Sequence, residues 1–242
     1  MDGTDLSRQP KPLHRIFTAL PPRYDLINHI ITLGLDNRWR QLAARACLEG
    51  KPIRVLDLGC GTGDLTINLA LLAENAVEIT GLDYSQPMLE LAQKKAAEAG
   101  AGERVKFVHG EAASLPFPEG YFDCVGISFA FRNLTYKNPV RLKHLGEVLR
   151  VLRQGGRYII VESSQPGNSA IRALFHLYLR AFVKPAGILL SRNKGAYHYL
   201  AESASRFYSP EEIKGMLLTA GFRDVSYHPL LFGAAGIHTA TK

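Results

Sequence analysis

The sequence predicts one α/β domain whose sheet is mostly parallel and carries helices on both faces. Three observations lead there. Strand-like and helix-like segments alternate from Ile53 to Glu162, which is the pattern of repeated strand–helix–strand crossovers. A chain of 242 residues with 46% hydrophobic content can bury one sizeable core. Finally, the run Ile53-Arg54-Val55-Leu56-Asp57-Leu58 passes into the glycine turn Gly59-Cys60-Gly61-Thr62-Gly63, and the next strand-like run ends on Asp83.

Five parallel strands are expected at Ile53–Leu58, Val77–Asp83, Val105–His109, Phe122–Phe129 and Gly156–Ser163. Between them, Gln86–Glu98 has helical spacing with Pro87 in its first turn. The stretch Val140–Leu152 places Val140, Leu142, Leu145, Val148, Leu149 and Leu152 toward a core. Ser209-Pro210-Glu211-Glu212 opens another helix, with Ser as cap, Pro first and Glu third, and Gly221 stops it. Two last strands, near Phe222–His228 and Ala235–Thr241, add an antiparallel edge. Residues 1–242 then read as a single domain, with 1–45 as a helical cap behind a disordered polar start reaching about Lys11. Residues 165–208 form an inserted helical, basic lid.

Charge and cysteines narrow the function classes. The net charge is +7, and the excess is concentrated between Val151 and Leu200, where seven basic residues face the single acid Glu162. No RNA-binding or helix-turn-helix signature accompanies it, so nucleic acid is not the expected partner. Within that stretch Ile171–Leu190 is apolar, interrupted by Arg172, Arg180 and Lys184, a composition suited either to an anionic lipid surface or to a packed helix with solvated cations. The start of the chain lacks a secretory pattern and no apolar run spans a membrane, so a cytoplasmic protein is expected, with peripheral association at the inner face of a membrane following only from the lipid reading of that stretch. Cys47, Cys60 and Cys124 have neither paired nor metal-ligand spacing, so they read as reduced and buried and no metal site is indicated.

The glycine turn points to a nucleotide-like cofactor, because glycines let the backbone approach a ligand and a carboxylate ending the next strand can accept hydrogen bonds from a ribose. A dinucleotide fingerprint needs a third glycine one place later than Gly63, where Asp64 stands. With Asp57 on the other side of the turn, two carboxylates flank the place of a pyrophosphate, which disfavours a nicotinamide oxidoreductase. The arrangement suits a cationic ligand without phosphate, and S-adenosylmethionine is one. Ligands of such sheets bind at the carboxyl ends of the parallel strands; Gly59, Asp83, Glu111 and Ser128 map to that rim, and Asp57 and Gly61 at the glycine turn join them as cofactor-binding candidates. Glu111 can accept from an adenine amino group.

Further segments carry a resemblance. Arg23-Tyr24-Asp25-Leu26-Ile27-Asn28, Leu35-Asp36-Asn37-Arg38-Trp39-Arg40, Leu115-Pro116-Phe117-Pro118, Ile127-Ser128-Phe129, Arg132-Asn133 and Tyr199-Leu200-Ala201-Glu202-Ser203 follow in the order of the ubiquinone/menaquinone C-methyltransferase family, which the chain resembles from about Arg23 to Lys242. The resemblance implies a Rossmann-like class I methyltransferase fold with a mostly parallel seven-stranded sheet. It also implies S-adenosylmethionine as cofactor, held at Thr62, Asp83, Glu111-Ala112 and Ser128, and an isoprenoid quinol as substrate, methylated on a ring carbon. A homodimer or a quinone-synthesis complex is the partner expectation.

In that chemistry a ring carbon attacks the sulfonium methyl after a neighbouring hydroxyl loses its proton. Arg132 with Asn133 can stabilise the oxyanion, and Arg132 is too weak an acid to be an ordinary base. The proton acceptors to consider are His238, otherwise a structural histidine in an edge strand, and then Tyr197 or Tyr199. Two alternatives stay open: methylation of another small phenolic or soluble acceptor, and a non-catalytic role in a quinone-synthesis assembly.

Overall fold

The computed structural model describes residues 29, 32–74, 77–183, 185 and 207–242. Helix α1 (Leu35–Leu48) precedes β1 (Arg54–Leu58), α2 (Asp64–Leu72), β2 (Glu78–Asp83), α3 (Gln86–Glu98), β3 (Val105–His109) and β4 (Phe122–Ser128). The short α4 (Phe131–Thr135), α5 (Arg141–Val151), β5 (Leu152–Ser163), α6 (Ser169–Tyr178), α7 (Pro210–Thr219), β6 (Arg223–Leu230) and β7 (Ala235–Thr241) complete the described elements. The seven strands form one sheet in the order β3-β2-β1-β4-β5-β7-β6. β3 to β5 are parallel, and β7 runs antiparallel to both β5 and β6.

Strand order reverses between β1 and β4, and this opens a crevice at their carboxyl ends. Alternation along each strand divides the core into two layers. Val55, Ile79, Cys124, Ile159 and Val161 pack with Trp39, Ala43, Ala44 and Cys47 of α1 and Leu65 and Leu69 of α2. Leu56, Leu58, Val125, Ile127, Tyr158 and Ile160 pack with Leu145 and Val148 of α5 and Ile213 and Leu217 of α7.

Several local features follow from sequence chemistry. The capping box of α7 is formed, with Ser209 Oγ accepting from Glu212 N and Glu212 Oε2 from Ser209 N. On α5, Leu145 and Val148 are buried but Leu142 is 59% exposed, contrary to the sequence expectation, because Leu142 sits on the solvent face of a helix covered on one side only. Leu152 begins β5 instead of ending α5. Phe129 lies beyond β4 with a left-handed φ of 54°. In the antiparallel part of the sheet β6 is the outer strand, so β7, with His238, lies inside.

In the segment 165–208 the described residues form α6, capped by Asn168 Oδ1 accepting from Ala170 N and Ile171 N, and it runs into one wide helical turn, Leu179–Val183. Tyr197, Tyr199, Lys184, Arg192, Lys194 and the polar start lie outside the described residues. Among the described residues no helix is long and apolar enough to cross a membrane, and no cluster of His, Cys, Asp or Glu is placed to hold a metal ion.

Candidate active site

The crevice between β1 and β4 holds a cavity of about 150 Å³. The structure brings together there all eight residues read from the sequence as cofactor-binding: Asp57, Gly59, Gly61, Thr62, Asp83, Glu111, Ala112 and Ser128. Gly59 and Gly61 take left-handed φ values of 67° and 54°, and this conformation turns the chain sharply from β1 toward α2. Gly59 N and Cys60 N both donate to Leu82 O, at 2.8 and 3.0 Å, which locks the turn to β2. Nothing lies within 4 Å of the position a Cβ at Gly61 would take, so the backbone there faces open space.

Two carboxylates dominate the electrostatics. Asp83 Oδ2 accepts from Gly61 N at 2.9 Å and Oδ1 from Ser85 N at 2.8 Å. Burial still raises its pKa against those backbone donors. Asp57 is 1% exposed; Oδ2 accepts from Thr66 Oγ1 at 2.6 Å, while Oδ1 has no protein partner. Burial, with Asp83 nearby, pushes its pKa up to about 7. Ser128 Oγ and Asn133 Oδ1 are likewise buried without a partner, and both residues line the cavity. Buried polar atoms without partners are costly, and three around one cavity mark a place for a ligand rich in hydrogen-bond donors. Asp64 departs from the sequence argument. Lys95 Nζ lies 2.5 Å from Asp64 Oδ1 and Arg40 Nη1 lies 3.7 Å from Asp64 Oδ2, so its charge is compensated. The preference for a cation rests on Asp57 and Asp83.

A second, larger cavity of about 330 Å³ adjoins the first, and Arg40 and Phe129 line both. Its walls are mainly apolar, from Ile171, Leu174, Phe175 and Tyr178 of α6, Trp39 of α1 and Phe232 of the turn before β7. The left-handed backbone at Phe129 places its ring 6.1 Å from Trp39 and 5.3 Å from the Arg40 guanidinium. A strained non-glycine residue at the junction of two cavities is characteristic of a functional site.

The sequence pattern of the ubiE/COQ5 methyltransferase family matches residues 4–242. The chain belongs to this family. It is 42% identical over 227 residues to a demethylmenaquinone methyltransferase of Thermus thermophilus, covering 94% of this chain and 100% of that one. It is 33% identical to a ubiquinone/menaquinone biosynthesis C-methyltransferase of Azotobacter vinelandii, covering 98% and 92%. Its fold is that of a SAM-dependent methyltransferase of Thermotoga maritima, with a TM-score of 0.61 at 20% identity over 94% of this chain and 98% of that one.

Within this methyltransferase-family chain the remaining sequence candidates separate. Arg132 is 5% exposed and lines the apolar cavity. Its Nη1 donates to Ser163 Oγ at 2.7 Å and stands 3.6 Å from Glu162 Oε1, while Nε is buried without a partner. His238 lines neither cavity. It is 1% exposed on β7, its ring centroid 4.6 Å from that of Tyr227, and burial lowers its pKa to about 4. Residues that sequence reasoning passed over are Asp36 and Arg40. They lie four apart on α1, so they share one face of the helix, and that spacing was the available signal.

Proposed function

We propose that this protein methylates a ring carbon of a reduced, demethylated isoprenoid quinol, with S-adenosylmethionine as donor. The observation that carries the reading is the pair of adjoining cavities, one lined by the two buried carboxylates Asp57 and Asp83, the other apolar and more than large enough for a bicyclic ring. Bound S-adenosylmethionine supplies a methyl group on a positively charged sulfur. The ionised carboxylate of Asp83, which accepts and cannot donate, takes hydrogen bonds from ribose hydroxyls, and Asp57 Oδ1, Asn133 Oδ1 and Ser128 Oγ satisfy the donors of the amino-acid part. Glu111 and Ala112 hold the adenine end.

In the apolar cavity, Arg132 is held rigid by Glu162 and Ser163, so its N–H groups can meet the negative charge that develops on a ring oxygen without reorganising. Phe129 and Trp39 confine the ring so that the reacting carbon faces the neighbouring cavity. Support for a naphthoquinol ring comes from the 42% identity to a relative named for demethylmenaquinone, against 33% to one named for both quinones.

The same reading includes contact with the inner face of a membrane. Leu174, Leu177 and Phe182 on the α6 side and Leu231 and Phe232 before β7 are exposed, Phe232 at 79%. Arg172 and Arg180 beside them are exposed as well. Exposed apolar side chains with Arg172 and Arg180 in the same stretch suit an anionic lipid surface and give an isoprenoid tail a way in.

The test is transfer of label from S-adenosylmethionine to chemically reduced demethylnaphthoquinol and demethoxybenzoquinol, with the oxidised quinones as controls. Label in a quinol and none in its oxidised form is expected. Cofactor binding without transfer to either quinol would redirect the reading to another acceptor or a scaffold role.

A further inference from the structure

Carbon methylation of a quinol requires a group that takes the hydroxyl proton, and among the described residues lining the apolar cavity only Asp36 can do so as an anion. Arg40 and Arg132 remain protonated. Asp36 is 5% exposed and heavily partnered. Its Oδ2 accepts from Arg40 Nη1 at 2.5 Å, and its Oδ1 lies 3.0 Å from Thr32 Oγ1 and 2.9 Å from His29 Nδ1. The His29 side chain is 57% exposed against 8% for Asp36, so the pair spans from the cavity wall to solvent. A glycine turn builds this contact. Gly34, at a φ of 77°, donates its N–H to His29 O at 2.8 Å, and a Cβ at Gly34 would stand 3.3 Å from the imidazole.

We propose that Asp36 and His29 form the proton outlet of the acceptor cavity, with Asp36 as the carboxylate that meets the quinol hydroxyl and His29 as the group that receives the proton. The quinol O–H bond breaks and its electron pair stays on the ring oxygen. The proton goes first to Asp36; the exposed His29 ring exchanges with water to the Nε2–H tautomer, so that Nδ1 takes the proton from Asp36 and Nε2 releases one to water, which restores the Nδ1–H that donates to the ionised Asp36 at 2.9 Å. Asp36 acts as the conduit and not the store. Burial pushes its carboxyl up, but Arg40, Thr32 and His29 together outweigh this and hold it below the usual carboxylate range. The charged groups around the pair are Arg40 on the same helix, Asp64 of α2 at 3.7 Å from Arg40, and Arg132 of α4, which lines the same cavity.

This inference rests on the quinol reading, and one experiment separates the two. The full chain and its His29→Gln variant are assayed with labelled S-adenosylmethionine and reduced demethylnaphthoquinol across pH, with cofactor affinity measured by calorimetry. At pH 7 the variant is expected to lose about 100-fold in rate. The loss should narrow as pH rises and the quinol ionises unaided, and added imidazole should restore part of the rate. Cofactor affinity should be unchanged. Asp36→Asn should lose rate with the same narrowing, its fold checked by circular dichroism. A wild-type rate for His29→Gln at pH 7, or an equal loss at every pH without imidazole rescue, would overturn the relay. An inactive wild-type chain that still binds cofactor would overturn the quinol reading, and the relay with it.

Discussion

Arg132 and Asn133 are neighbours in the chain but line different cavities, the first the apolar one and the second the one that holds Asp57 and Asp83. The turn that carries them begins at Ala130, directly after the left-handed Phe129. One step of backbone therefore separates the proposed donor and acceptor sites, and the Arg-Asn pair stands at the wall between them.

Substitutions at the two positions should separate kinetically. Arg132→Lys keeps a cation beside buried Glu162, avoiding an unpaired carboxylate, but loses the planar fork of donors. Its kcat should fall by about 10- to 100-fold with cofactor affinity little changed. Asn133→Ala should weaken cofactor binding by about 10-fold, the worth of one buried hydrogen bond. Steady-state kinetics together with calorimetry would show the split.

Cofactor affinity should depend on pH through Asp57. Its pKa near 7 is raised by burial, and a cationic ligand favours the ionised form, so binding expels the proton. Affinity should rise by about tenfold from pH 6 to pH 8 and then level off. Calorimetry in buffers of different ionisation enthalpy would detect the released proton, and Asp57→Asn should abolish the dependence.

Gly81→Ala should damage the cofactor site from behind. A Cβ there would lie 2.8 Å from Thr66 Oγ1 and 3.0 Å from the Phe107 ring, pressing on the hydroxyl that donates to Asp57. The expected cost is about 1–3 kcal/mol of stability, read from urea unfolding, with weaker cofactor binding.

His238 should make the protein acid-sensitive. Its folded pKa, near 4, lies below the ordinary histidine value of about 6.5. The neutral folded form is thus fully stabilising above that value, and stability is lost as pH falls toward 4. The stability of the wild type relative to His238→Leu should fall by about 2 kcal/mol between pH 7.5 and pH 5, by urea unfolding at both values.

Leu177→Glu tests the lipid-facing surface without touching either cavity. Leu177 is 60% exposed and lines neither cavity, so stability should change by less than about 0.5 kcal/mol. Flotation with anionic vesicles should drop several-fold, while retention of wild-type flotation would remove α6 from the membrane contact.

The alternation of strands and helices, the glycine turn after β1, the capping box at Ser209 and the acid ending β2 could all be read from the chain, because each depends on chemistry within a few neighbouring residues. The rim positions Asp57, Asp83, Glu111 and Ser128 followed, since in a parallel sheet they stand at the same ends of adjacent strands. Charge compensation and solvent access were not legible. Asp64 is neutralised by Lys95, 31 residues away, and His238 sits one strand inside the edge, where its ring meets Tyr227 and not a cavity. The side chains of Asp36, Arg40 and Arg132 meet in one apolar cavity only because α1, α4 and α6 converge over the rim. Such convergence is a property of packing between distant segments, and hydrophobic periodicity carries no record of which polar side chains the folded chain will bring together.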